Sequence, residues 1–258
     1  MTAADLTAVR LARARTFVAA PDSLGGRTIL VTGAGSGIGQ AVALAAAAAG
    51  AQLILSGRHI KRLEAVFAAV VKAGYAEPSI APLDLEKALA PQYDELAGAV
   101  LKRYGKLDGL VHCAGLLGTI APLAHYDVPT FYKVMHVNVT AAFALTQVLL
   151  PALEQSPDAS IIFSSSSVGR RGKAYWSGYA AAKFALEGLT QSLGDEMSNT
   201  RVRVNAVNPG RARTAMRRQA FPSEDLTTLP EPGRLAGTYL WLLSAEASGV
   251  TGQSLDAQ

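Results

Sequence analysis

The chain has 258 residues, 50% hydrophobic and 17% charged, a balance that supplies a large core and excludes a mostly disordered protein. A single cysteine excludes an intramolecular disulfide framework, and a reducing compartment, the cytoplasm, is the expected location. The net charge of +4 arises from 24 basic and 20 acidic residues; the basic ones are scattered without interleaved aromatics, so a small anionic ligand suits the excess better than a nucleic acid. The longest run of apolar residues and glycine, 41–51, is about half of a bilayer span. No leader of basic-then-apolar order is readable, and no membrane partner is expected.

Residues 1–26 read as an arm ahead of one domain at 27–258. Leu6 and Val9 share a helical face that Arg10, Arg13 and Arg15 interrupt, and Pro21-Asp22-Ser23 forms a turn. A short surface helix or a tail is expected there.

From Arg27 on, strands and helices alternate. Thr28–Val31, Gln52–Leu55, Ser79–Leu83, Leu107–Cys113, Ser160–Phe163 and Val202–Val207 are short apolar runs of strand composition. Between them the periodicity predicts helices over Gln40–Ala49, Lys61–Lys72, Tyr93–Tyr104, Thr130–Leu150 and Tyr179–Met197, with a last one near Leu235–Leu243. Strands this apolar, separated by helices, require a parallel sheet covered on both faces. The expectation is a single doubly wound, Rossmann-like α/β domain.

The first strand runs into Thr32-Gly33-Ala34-Gly35-Ser36-Gly37-Ile38-Gly39, which opens the first helix. Glycines there let the backbone turn tightly against a pyrophosphate, and the helix N-terminus adds amide donors and a positive dipole end. The second strand ends Ser56-Gly57-Arg58 where a site for NAD would place an acid on the ribose 2′-hydroxyl. No acid stands there. Arg58 offers a planar fork to a 2′-phosphate, so NADP(H) is the expected cofactor.

Tyr179-Ala-Ala-Ala-Lys183 sets a phenol and an ammonium one helical turn apart. The lysine cation favours the phenolate and an oxidised nicotinamide adds a second positive charge; a three-unit drop in tyrosine pKa requires about 4 kcal/mol, which two such neighbours together are expected to supply. Ser166 stands thirteen residues earlier in Ser164-Ser165-Ser166-Ser167, at the carboxyl end of the fifth strand, where open α/β sheets bind ligands. The other three serines read as loop filler or local backbone partners.

Taken together, Thr-Gly-x-x-x-Gly-Ile-Gly, the Ser166-Ser167-Val168-Gly169 segment, Tyr-x-x-x-Lys, Val137-Asn138-Val139, and Asn208-Pro209-Gly210 with Thr214 resemble the short-chain dehydrogenase/reductase family. The loop after Gly169, Trp176 and the Asp256-Ala257-Gln258 ending add a narrower resemblance to a bacterial, YciK-type subgroup. The resemblance implies hydride exchange between nicotinamide and a small carbonyl or secondary alcohol, with Tyr179 as acid/base, Ser166 on the substrate oxygen and Lys183 on the ribose. It further implies Asn138 as a link to the lysine through water, Asp84 near the adenine, Ala114-Gly115 beside the cofactor, and Pro209, Gly210 and Thr214 near the nicotinamide. Homodimers or homotetramers through the helices at 130–150 and 179–197 are implied as well.

Two departures stand out. His112-Cys113 replaces the family's paired asparagines before Ala-Gly, removing an amide that braces the sheet, and the terminal Asp-Gly-Gly is absent. Cys113 reads as a buried thiol rather than a nucleophile. His59, His112, His125 and His136 lack metal-ligand spacing, so no metal is expected. Sugar-nucleotide epimerases disagree in loop and length, and divergent enoyl reductases in tyrosine–lysine spacing. An NADP-binding sensor without turnover is the remaining rival.

Overall fold

Apolar alternation in β1 (Thr28–Thr32) sends Ile29 and Val31 to one side and Leu30 to the other, and every residue of the strand is buried. The computed structural model describes residues 12–258; Leu6, Val9 and Arg10 lie outside the described residues. The order after β1 is α1 (Gly37–Ala48), β2 (Gln52–Gly57), α2 (Ile60–Lys72), β3 (Ser79–Pro82), α3 (Ala90–Tyr104) and β4 (Gly109–His112). Then follow α4 (Val128–Met135), α5 (Ala141–Glu154), β5 (Ala159–Ser164), α6 (Ser177–Glu196), β6 (Val202–Asn208), α7 (Ala215–Ala220), α8 (Ala236–Leu243) and β7 (Ser254–Asp256). All strands are parallel in the order 3-2-1-4-5-6-7, so the doubly wound expectation holds.

One core lies between the sheet and α1, α2 and α8, built on Val42, Ala46, Leu63, Val66, Tyr239 and Trp241. The other lies under α3, α5 and α6, built on Tyr93, Val100, Leu145, Leu149 and Leu186. Alanines dominate the buried face of α1, which lets that helix sit close to the sheet and brings its N-terminus to the ends of the strands.

Three expectations need correction. The segment 12–26 is no detached arm: Ala14 and Leu24 are fully buried in the first core. The Thr238 hydroxyl donates to the Ala14 carbonyl at 3.1 Å, and the Phe17 carbonyl fills the space a side chain at Gly237 would need. A seventh strand, β7, pairs with β6 through Ala206–Ser254, Val207–Leu255 and Asn208–Asp256. The helix expected at 130–150 is a rod over Val128–Glu154 interrupted by a π-helical turn, His136–Thr140. This rod is long and apolar enough to cross a bilayer by length and composition. Here Ala141, Leu145, Leu149, Ala152 and Leu153 belong to the second core.

Candidate active site

A cavity of about 890 Å³ opens at the carboxyl ends of the central strands. Thr32, Gly57, Cys113, Ser164 and Pro209, from the ends of β1, β2, β4, β5 and β6, all line it. Here strand order reverses between β1 and β4, and doubly wound sheets leave a crevice.

Glycine is obligatory at several points of the β1–α1 loop. Gly33 has φ +67°, and a Cβ there would stand 2.8 Å from the Ala114 amide. A Cβ on Gly39 would collide with the Gly33 carbonyl. Ser36 caps α1 in an extended conformation, and its side chain makes no capping bond. The first amides of the helix are therefore left to the cavity, as an anion requires. Thr32 works differently from its neighbours: its hydroxyl accepts from the Cys113 and Ala114 amides, each at 3.2 Å, and so fixes the end of β4 beside β1. Gly35, Ser36, Gly37, Ile38, Ala114 and Gly115 all line the cavity. The cradle fits a dinucleotide.

At the far end the lining carries Arg58, His59, Arg62, Asp84 and Glu86. The Arg58 guanidinium lies 3.7 Å from Glu86, which also holds Lys133 at 2.7 Å. Lys133 first, then Arg58, keep the Glu86 carboxyl below the usual carboxylate range. Asp84 accepts from the Glu86 amide at 3.1 Å. Arg62 packs opposite Gly35, where a Cβ would stand 2.9 Å from the arginine's Cβ. His59 and Arg62 join Arg58 on this wall beyond what the sequence reading assigns; their closeness in sequence to Arg58, at the start of α2, is the signal that points to them.

On α6, Tyr179 and Lys183 share the cavity wall. The Lys183 ammonium lies 5.3 Å from the centre of the phenol ring and donates to the Ser164 carbonyl at 2.7 Å. Burial pulls the lysine down to about 8. Desolvation at its half-buried position pushes the Tyr179 phenol up, against which the expected lowering needs both the lysine and an oxidised nicotinamide. The protein by itself thus holds the phenol as an acid.

Ser166 follows β5 and caps the short 3₁₀ turn Ser167–Gly169, its hydroxyl accepting from the Val168 amide at 3.4 Å. A Cβ on Gly169 would lie 2.9 Å from the Lys183 backbone, so this turn rests directly on α6 beside the lysine. Asn138 sits in the π turn and pairs its whole amide with Leu116, accepting from the backbone N–H and donating to the carbonyl, both at 2.8 Å. Its side chain fastens the loop following β4. Asn138 and Lys183 stand on either side of one glycine. Gly115 lies between them, for a Cβ there would meet Asn138 Oδ1 at 2.9 Å and Lys183 Nζ at 3.9 Å.

Pro209 and Thr214 line the cavity, whereas Ser166, Asn138 and Gly210 stand outside its lining. Thr214 caps α7 through the Arg217 amide. Gly210 has φ +74° and abuts Gln258, whose amide donates to the Pro209 and Arg211 carbonyls at 3.1 and 2.6 Å. The 256–258 ending therefore ties down the loop after β6.

The two departures have structural substitutes. Cys113 Sγ meets the Ser164 hydroxyl at 3.2 Å, and Ser164 meets the buried Tyr239 hydroxyl at 3.0 Å, so β4 is still braced to β5. Burial pushes the Cys113 thiol up to about 11, leaving it unsuited to act as a nucleophile. His112 stacks on Phe163 with ring centres 5.0 Å apart. Thr146 donates to the Ala142 carbonyl, so the His112 Nε2–H must donate to Thr146 at 2.9 Å. Among the described residues no cluster of His, Cys, Asp or Glu could hold a metal ion.

A glycine cradle at the switch point of a doubly wound parallel sheet, with a tyrosine and a lysine on the same wall, defines a dinucleotide-binding oxidoreductase. The family model described as short chain dehydrogenase matches residues 27–225, and the chain belongs to that family, whose members bind nicotinamide cofactors. It is 44% identical over 237 residues, 92% of this chain and 94% of the other, to the oxidoreductase YciK of Escherichia coli K12. The solved structure of a short chain dehydrogenase from Pseudomonas syringae superposes with a TM-score of 0.93 at 48% identity, covering 94% of this chain and 98% of that one. Another from Escherichia coli CFT073, complexed with NADPH, superposes with a TM-score of 0.90 at 45% identity, covering 92% and 98%.

Proposed function

We propose that the protein is an NADP(H)-dependent oxidoreductase acting on a small carbonyl compound or the corresponding secondary alcohol. The observation that carries this reading is one cavity joining the glycine cradle, the Arg58–Arg62 end and the Tyr179–Lys183 pair. When bound, the nicotinamide supplies or accepts the hydride. Gly33 to Gly39 and the first amides of α1 would hold the pyrophosphate, while Arg58, with His59 and Arg62, would take the 2′-phosphate. The NADPH complex of the Escherichia coli CFT073 relative supports that assignment.

In reduction, Tyr179 Oη donates its proton to the substrate oxygen, a task suited to a phenol that burial keeps protonated. Lys183 remains an ammonium near neutral pH and supports charge developing on Tyr179 Oη. Ser166 Oγ hydrogen-bonds the substrate oxygen. Asn138 acts at one remove, by holding Leu116 and the Ala114-Gly115 wall. An acid/base pair set on the wall of the cofactor cavity argues against a sensor that has lost turnover.

The half-exposed Phe143 on α5 and Phe184 on α6 support pairing of copies through these helices, and the single free cysteine suits work in the cytoplasm. The test is NADPH consumption with a broad carbonyl panel, alongside NADH and Tyr179→Phe. Turnover that prefers NADPH and is lost in the variant supports the proposal. Turnover retained by Tyr179→Phe overturns the tyrosine's role, and NADPH binding without consumption would favour the sensor.

A further inference from the structure

One carboxylate near the site has no part in the chemistry above. Glu187 lies one helical turn beyond Lys183 on α6 and is only 7% exposed. A buried carboxylate is costly unless hydrogen-bonded and paired, and its partners both come from the loop that carries Ser166. The Ser165 hydroxyl donates to Glu187 Oε1; Ser165 is itself 3% exposed, and its amide donates to the Val207 carbonyl on β6 at 2.7 Å. Arg170, just past the 3₁₀ turn, brings Nε to 3.6 Å from the same carboxylate oxygen.

Arg170 continues the connection outward. Its Nη1 pairs with Asp256 of β7 at 2.8 Å, and its Nε and Nη2 donate to Ser254 Oγ at 3.0 and 2.7 Å. Asp256 also accepts from Asn208 at 2.8 Å and pairs with Arg15 at 3.5 Å. Charge therefore alternates from Lys183 through Glu187, Arg170 and Asp256 to Arg15. The serine loop hangs between α6 and β7, fastened just before Ser166 by Ser165 and just after its turn by Arg170.

We propose that Glu187 is a positioning residue: through Ser165 and Arg170 it fixes the loop bearing Ser166 against α6, and it places a counter-charge one helical turn from the Lys183 ammonium. This rests on the NADP(H) reading for its second half only. Charged and titratable groups around the Lys183–Glu187 turn are Tyr179 on the same helix, Cys113 after β4, Arg170 after β5, and Asp256 of β7 through Arg170. Against the effect of burial, Cys113 and then Glu187 raise the proton affinity of Lys183; burial holds Cys113 as a neutral thiol up to about 11, which leaves Glu187 as the charged partner.

Two measurements on the full chain test this, and neither needs the substrate. The first is the affinity for NADPH, followed by its fluorescence from pH 6 to pH 10. An ammonium at Lys183 favours the anionic cofactor, so affinity in the native protein falls as pH rises through the lysine's pKa, and Lys183→Met removes that step. Glu187→Gln keeps the shape and an acceptor for Ser165 but loses the charge. Its midpoint is expected to come down by roughly half a pH unit. Ser165→Ala retains the charge and leaves the midpoint in place.

The second measurement is amide hydrogen exchange over residues 164–171. It should quicken by about tenfold or more in Ser165→Ala, the loss of one hydrogen bond to a charged group, and by less in Glu187→Gln, which keeps an acceptor for Ser165 and loses only the charge facing Arg170. An unmoved midpoint in Glu187→Gln overturns the counter-charge role, and unchanged exchange in both variants overturns the clamp. If the native protein bound no NADPH, the cofactor reading would fail by itself, and exchange would still decide the clamp.

Discussion

Arg58 offers the sharpest test of cofactor choice. In Arg58→Ala the fork assigned to the 2′-phosphate disappears, while the pyrophosphate cradle stays intact. A hydrogen bond to a charged group contributes roughly 1.5–3 kcal/mol. The Arg58 side chain is 51% exposed, and solvent screening places the expected loss at the lower end, about 1.5 kcal/mol. Releasing Glu86 from its 3.7 Å contact with Arg58 subtracts little, since exposed pairs contribute about 0–1 kcal/mol. Glu86 in any case retains Lys133. The expected result is therefore a roughly tenfold weaker Kd for NADPH, with NADH unchanged. Calorimetric titration of both cofactors at low and moderate salt is the assay. NADPH discrimination in the native protein should shrink with added salt, as it does for any half-exposed charge pair. Equal weakening of NADPH and NADH would refute the assignment, for it would mean that the substitution damaged the common cradle. An unchanged NADPH affinity would move the phosphate contact to Arg62 or His59.

Two further outcomes follow from packing and burial. Gly39→Ala forces a methyl against the Gly33 carbonyl and Cys113 Cβ; the expected cost is about 1–3 kcal/mol in denaturant unfolding, with cofactor binding lost as the loop is pushed open. His112 is held down to about 3 by burial, against an ordinary value of 6.5. Its neutral form stabilises the fold above pH 6.5, and that contribution falls away as pH drops toward 3, by about 1.4 kcal/mol per unit. His112→Leu should remove this slope, seen by comparing denaturant midpoints at pH 7.0 and 5.5; an equal slope in the variant would place the titrating group elsewhere.

The sheet and the cradle were legible because their signals are local. Val31 must be buried and Gly33 must turn, so the residues that build β1 and the loop announce both. β7 was not legible, since Ser254-Leu255-Asp256 has three residues and no β-branched one; its strand conformation comes from β6 alongside. The described part of the arm escapes the sequence for a similar reason: Ala14 and Leu24 are too sparse for a periodic signal, yet both are buried in the first core, Ala14 beside α8 and Leu24 beside the end of α1. Tyr179 and Lys183 share a helix, and spacing alone placed them together. Glu187 and Ser165 come from different elements, 22 positions apart, and only the fold joins them. The tyrosine's desolvation, which opposes the pull of its cations, is set by its neighbours in the fold and has no signal in the sequence.

The π turn at His136–Thr140 acts as a change of gear in an otherwise uniform helix. An α-helix advances about 100° per residue, so the one extra residue in this turn rotates everything upstream by that angle relative to everything downstream. Upstream of it, α4 lies against α6; downstream, α5 lies against α3. A strictly α-helical rod of the same composition could satisfy one of these neighbours but not both. Removing a single residue from 136–140 would leave the composition nearly untouched while turning α4 off α6 and carrying Asn138 away from Leu116. In this chain, then, the count of residues in one turn matters as much as their chemistry.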